Sequence, residues 1–127
     1  MNISHLIETF VQEAVIQFAT DWSSITIQEL EISDGRAKNA SPACTAGSFI
    51  YVAYENDHVL YVGETSKSVK RRFIVDGSGS HKEKNPAWYD RTTIIKFIKK
   101  SHNDLPDKER KLLEQAFSIH FNPEFYG

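Results

Sequence analysis

Phe49-Ile-Tyr-Val-Ala-Tyr54, Glu55-Asn-Asp-His58 and Val59-Leu-Tyr-Val62-Gly63 follow one another without interruption. The first and third segments are rich in β-branched and aromatic residues, which fit the pleated surface of a strand. The four residues between them are polar and include the Asn and Asp that turns favour. Two such strands joined by so short a polar link read as a β-hairpin closed by Gly63. The hairpin sets the class: whatever surrounds it must pack on a small sheet.

On the N-terminal side, Leu6, Ile7, Phe10, Val11, Ala14, Val15 and Phe18 recur at helical spacing, with Glu8, Glu13 and Gln17 opposite. That pattern predicts an amphipathic helix ending near Asp21–Ser24. Residues 25–32 alternate as a strand would, with a second short helix as the alternative, and residues 33–46 read as a loop or linker. On the C-terminal side, Thr65 or Ser66 can cap a helix over about 67–75, broken by Asp76-Gly-Ser-Gly-Ser80. Residues 92–98 form the next predicted strand and 107–121 a final helix with Pro123 beyond it. From Gly47 the expected order is β-β-α-β-α, an α+β core with a small three-stranded sheet flanked by helices. Residues 1–46 are then an N-terminal helical extension and linker, packed on the core or used in dimerisation.

The chain has 127 residues, 25 % charged, and one cysteine, Cys44. Its length suits one core. An intrachain disulfide is excluded and a Cys-based zinc site disfavoured. No apolar run approaches the roughly 20 residues of a membrane span. No secretory leader is evident either, so a reducing cytoplasm is the expected setting. The net charge of −2 conceals an asymmetry: residues 1–66 carry −7, residues 67–111 carry +7 and the remainder −2. A basic region of that kind can face a phosphate backbone, or simply solvate two helices.

Gly47-Ser-Phe-Ile-Tyr51, Tyr61-Val-Gly63-Glu-Thr-Ser-Lys-Ser-Val-Lys-Arg-Arg72-Phe73, the strand over 92–98 and Arg110-Lys-Leu-Leu-Glu114 come in the order of the GIY-YIG endonuclease family. Phe49-Ile50-Tyr51 stands where that family has GIY, and Tyr61-Val62-Gly63 matches YIG. The resemblance covers about residues 47–127. It implies hydrolysis of DNA phosphodiesters with one divalent metal, Mg²⁺ or Mn²⁺. Such chemistry needs an activated water, a proton acceptor and positive charge at the phosphate.

By that resemblance Tyr51 activates water and Tyr61 orients water or phosphate, the two lying at corresponding places on neighbouring strands. Their alternative role is as strand aromatics in a core. Arg72, followed by Phe73, is the preferred catalytic cation because its fork of donors suits a phosphate; Arg71 competes for the role. Glu114 is the candidate metal ligand, since a carboxylate on an apolar helical face needs a partner and Mg²⁺ often takes a single one. The alternative is a rim carboxylate salt-bridged to a basic residue. Glu109 is the less favoured choice. His81 is a candidate for proton transfer, although the family histidine usually stands one helical turn beyond the arginine, where this chain has Asp76. Otherwise it is a mobile loop residue. Lys67, Lys70, Arg71, Lys82 and Lys84 are candidate nucleic-acid contacts. The family often ends Pro-x-x-Asn, whereas here Asn122 precedes Pro123. A catalytically inactive module binding nucleic acid or protein is the second reading. Homodimerisation through the N-terminal helix is a further expectation.

Overall fold

A computed structural model describes residues 2–75, 77 and 79–126. Asp76 and Ser78, part of the expected helix breaker, lie outside the described residues. The chain folds as α1 (Ile3–Gln17), β1 (Ser23–Thr26), α2 (Ile27–Ile32), a 3-10 turn (Pro42–Cys44), β2 (Ser48–Glu55) and β3 (His58–Thr65). A π-wound turn (Arg71–Val75), two short helices α3 (His81–Lys84) and α4 (Pro86–Tyr89), β4 (Ile94–Lys100) and α5 (Asp107–Phe121) complete it. The fold is α+β around one antiparallel sheet with strand order β1-β4-β2-β3.

The hairpin forms with Glu55 paired to His58 across Asn56-Asp57, and Asn56 takes the left-handed φ of 56° that Asn tolerates in a tight turn. The sheet has four strands where three were expected. Ser23–Thr26 pairs with β4, so the N-terminal segment contributes to the same sheet as the hairpin. The strand expected over 25–32 stops at Thr26, because Thr26 and Glu29 form a reciprocal capping box that starts α2. The helix expected over 67–75 forms from Val69 to Val75, with its last five residues, Arg71–Val75, π-wound.

β2 is buried along both faces, which explains its uninterrupted apolar run. Phe49, Tyr51 and Ala53 face one layer with Leu30, Phe73, Trp88 and Tyr89. Ile50 and Val52 face the other, with Val11, Ala14, Leu113, Ala116 and Phe117 from α1 and α5. The register places Tyr51 opposite Gly63 and Tyr61 opposite Ala53. The tyrosines are therefore diagonal neighbours on one face rather than directly paired. Their rings are 6.3 Å apart at 29°, within the reach of a diagonal cross-strand pair of large side chains.

Gly63 is required by this register. A Cβ there would lie 2.5 Å from Tyr51 Cζ, inside van der Waals contact with a ring that is 1 % exposed. Gly77, by contrast, has nothing among the described residues within 4 Å of where a Cβ would lie. Gly63→Ala is expected to destabilise the protein by about 3 kcal/mol through overpacking, while Gly77→Ala is nearly neutral. Urea unfolding of both variants checks this, and equal midpoints would refute the packing argument.

Candidate active site around Tyr51 and His81

Tyr51 projects from the centre of β2 into the layer covered by the π-turn, α3 and α4. Its Oη lies 2.7 Å from His81 Nε2, and His81 Nδ1 lies 2.9 Å from Asn85 Oδ1. An amide oxygen only accepts, so Nδ1 carries the ring proton. Burial pushes the His81 imidazole down from its ordinary 6.5 to about 4; the Asn85 hydrogen bond opposes the shift and the Arg72 charge adds to it. The ring is thus neutral at pH 7, Nε2 is bare, and the Tyr51 hydroxyl donates to it. Of the two alternatives for this histidine, the mobile loop residue is not what the structure contains: His81 is 1 % exposed, in the first turn of a helix capped by Ser80.

Aromatic contacts hold this arrangement. The Tyr61 ring stacks on Trp88 at 4.5 Å and 8°, and Trp88 lies 4.7 Å from the His81 ring. Phe73 meets Tyr51 and His81 edge-on at 5.0 Å each. Each ring is fixed by at least two others, which limits the orientations open to the hydroxyl.

Burial holds the Tyr51 phenol well above its ordinary pKa; Tyr61, Glu64 and Glu114 act in the same sense, and Arg72 opposes them. The Tyr61 phenol is also raised, first by burial and then by Glu114 and Glu64, again against Arg72. Arg72 therefore acts on both tyrosines and on His81. One of its nitrogens, Nη1, donates to the Gly79 carbonyl at 3.0 Å. Arg71 is exposed and turned towards a different cavity, so Arg72 is the arginine brought to the tyrosines.

Glu114 approaches from the opposite layer. α5 packs on the Ile50–Val52 face, and Glu114 is half-buried, with Ser118 Oγ donating to its Oε1 at 2.9 Å. Its carboxyl is raised by burial, with Glu64 adding to the shift and Ser118 opposing it. Among the described residues no cation pairs with Glu114, so the salt-bridged rim position is not what the structure contains. Glu114 meets the tyrosines through its field across the edge strand β3, not by contact. Glu64, which sequence reading passed over, is ion-paired to the buried Arg110; Arg110 also bonds Asp107 at 2.9 Å. That cluster fixes α5 against β3 one turn before Glu114. Glu109 is exposed in the first turn of α5.

The five basic residues expected to contact nucleic acid divide. Lys67, Arg71, Lys82 and Lys84 are exposed. Lys70 Nζ donates to the carbonyls of Leu30 and Glu31 at 2.7 and 2.8 Å, closing the end of α2. Asn122 is the left-handed C-cap of α5 and accepts from the Tyr126 hydroxyl, so its side chain is engaged far along the chain from the tyrosines.

Among the described residues no group of three His, Cys, Asp or Glu could cage a metal, and no helix is long and apolar enough to cross a membrane. Compared with protein families, characterised proteins and solved structures, the chain matches none.

The His81 shift carries a consequence for stability. Its folded pKa of about 4 lies below the unfolded value of 6.5. The unfolded chain therefore binds the proton first, and the contribution is fully present above pH 6.5 and is lost as pH falls towards 4. The loss across that window is about 3 kcal/mol. His81→Gln is expected to flatten the decline in thermal stability between pH 6.5 and 4, and unchanged slopes for wild type and variant would refute the assignment.

Proposed function

We propose that this protein is a metal-dependent DNA endonuclease of the GIY-YIG type, with Tyr51 as the water-activating group. The observation that carries the reading is the chain of hydrogen bonds from Tyr51 to the neutral His81 and on to Asn85. A buried phenol is a poor base alone, because burial disfavours its phenolate. Paired with a bare imidazole nitrogen, it takes a proton from water while passing its own to His81 Nε2. The water oxygen bonds to phosphorus, the bond to the leaving oxygen breaks, and no free phenolate is formed. Asn85 then faces an imidazolium it can still accept from. Arg72 supplies positive charge for the phosphate oxygens, and Tyr61 orients the nucleophile or phosphate from the same sheet face.

The donor chemistry fits a hard cation held sparingly. Glu114 is a half-buried carboxylate made more basic by burial and by neighbouring negative charge, which is the environment a divalent cation relieves. One carboxylate with water suits Mg²⁺ or Mn²⁺ and does not suit a zinc cage. Bound there, such an ion would neutralise developing charge on the leaving oxygen. Lys67, Arg71, Lys82 and Lys84 would contact the DNA backbone, with Lys70 acting through α2.

A second reading, a non-catalytic module on the same frame, draws on the 1 % exposure of Tyr51, which leaves its hydroxyl little open to water. Nicking of supercoiled plasmid with Mg²⁺ or Mn²⁺ separates the two. Tyr51→Phe and Arg72→Ala are expected to lower the rate about 100-fold or more, and Glu114→Ala to abolish metal-dependent nicking. Arg71→Ala is expected to keep chemistry and weaken binding. DNA binding by wild type without any nicking would exclude the enzyme.

Self-association through α1 belongs to the same proposal. Ile3, Leu6, Ile7 and Phe10 remain 40–73 % exposed on a helix whose Val11 and Ala14 are buried, and a contiguous apolar patch of that kind marks an interface. Leu6→Asp with Phe10→Asp is expected to convert a dimer to a monomer in light scattering. A wild-type monomer at high concentration would sink this part alone.

A further inference from the structure

Residues 80–92 cover Tyr51 without joining the sheet. Among the described residues, every backbone hydrogen bond donated by the amides of residues 83–85 and 88–92 ends on a carbonyl of the same segment. The chain rejoins the sheet at Thr93, whose amide donates to the Tyr54 carbonyl at 2.8 Å. The segment is a single layer thick: His81, Trp88, Tyr89 and Thr92 are buried beneath it, while Lys82, Lys84 and Asp90 are exposed on its outer side. Among the described residues, side chains alone dock it. His81 meets Tyr51, Trp88 lies flat on Tyr61, the Tyr89 hydroxyl donates to Glu31 Oε1 at 3.0 Å, and Arg91 bonds Glu55 and Glu124. One further contact comes from the site itself: Arg72 Nη1 donates to the carbonyl of Gly79, the residue before the segment.

We propose that residues 80–92 form a lid that opens as one unit over Tyr51, and that a phosphate taking Arg72 from the Gly79 carbonyl favours the open form. The lid's role in admitting phosphate rests on the nuclease reading; its opening does not. Lifting it breaks no strand ladder, so the opening is local and needs less free energy than global unfolding. Trp88 and Tyr89 are buried against the core when the lid is shut, so the closed form dominates in the free protein. Closed, it leaves Tyr51 1 % exposed with the hydroxyl committed to His81. A phosphate reaches the phenol only when the lid lifts. A ligand shifts such an equilibrium only by binding one state better than the other. Arg72 supplies that difference, because its donor serves Gly79 in the closed form and a phosphate oxygen in the open one. Reclosure then restores the Tyr51–His81 bond that the proton transfer uses.

Site-resolved hydrogen exchange of the free protein tests the lid. The amides of residues 83–85 and 88–92 are expected to exchange through one shared opening, at least about 10-fold more populated than the global unfolding that releases β2. Tyr51→Phe removes the hydroxyl bound to His81 and should speed all of them together by about fivefold. Exchange of the whole set only with β2 overturns the lid, and so does a Tyr51→Phe response confined to residues 83–85. A DNA duplex added without divalent metal, and so left uncut, tests the linkage. Exchange in the lid should rise, while Arg72→Ala should raise it without DNA and abolish the response. Bound DNA that slows lid exchange or leaves it unchanged overturns the linkage, and the nuclease reading then stands or falls on nicking. A protein that opens its lid but neither binds nor nicks DNA overturns the nuclease reading and the linkage with it, and keeps the lid.

Discussion

The hydrogen bond between Tyr51 Oη and His81 Nε2 ties together parts of the chain that share no regular ladder. Tyr51 stands on a central strand buried on both faces, the most constrained position the sheet provides. His81 belongs to a helix of four residues that could not persist alone, because a single turn fixes more dihedrals than its hydrogen bonds repay. The histidine, with Trp88 and Phe73, docks that segment on the sheet by its side chains. In return the segment supplies Tyr51 with an acceptor that burial has made neutral. Packing and proton chemistry are therefore one arrangement: without the dense aromatic layer the imidazole would be charged at mildly acidic pH and could not accept from the phenol.

The hairpin, its turn and helix α5 were legible in sequence because each is long enough to show its period or carries decisive turn chemistry. Residues 107–121 form the helix expected, and Glu55–His58 the turn. What sequence could not show was held by contacts rather than periodicity. The fourth strand is four residues of Ser-Ser-Ile-Thr, too short to alternate visibly, and it exists because β4 offers an unpaired edge. His81 and Asn85 stand at the i, i+4 spacing of one helical face, a signal that was present. The Gly/Ser stretch before them made the segment read as loop.

For the candidate site, the residue types were visible and their geometry was not. A matched pairing of the two tyrosines was the simplest expectation, yet the observed register sets Tyr51 over Gly63. That offset lets the Tyr51 ring lie flat across the hairpin and turns its hydroxyl towards His81. Glu64 points to the other face, where Arg110 holds it. Its neighbour in sequence thus serves the tyrosine layer while Glu64 itself anchors α5. A single β-strand with period two distributes adjacent residues between two layers, which is why Glu64 was invisible to a reading that followed only the motif.

The edge of β3 is closed over part of its length. Its outer side is covered at the start, where the Glu124 and Phe125 amides donate to the Val59 and Leu60 carbonyls. Arg91 locks that tail by bonding both Glu55 and Glu124, and it joins His58 in holding the Glu124 carboxyl down to about 2. Beyond Leu60 no described backbone group pairs with the outer side of β3. An exposed edge is a liability unless something blunts it, and here Val62, Gly63 and Thr65 are buried and Tyr61 and Glu64 half-buried, so side-chain packing covers what the tail does not. The tail thus closes the half of the edge that would invite another strand, and the two half-buried side chains beyond it, Tyr61 and Glu64, turn to opposite layers. Glu114 and Tyr51, attached to opposite faces of the sheet, influence each other only across that strand.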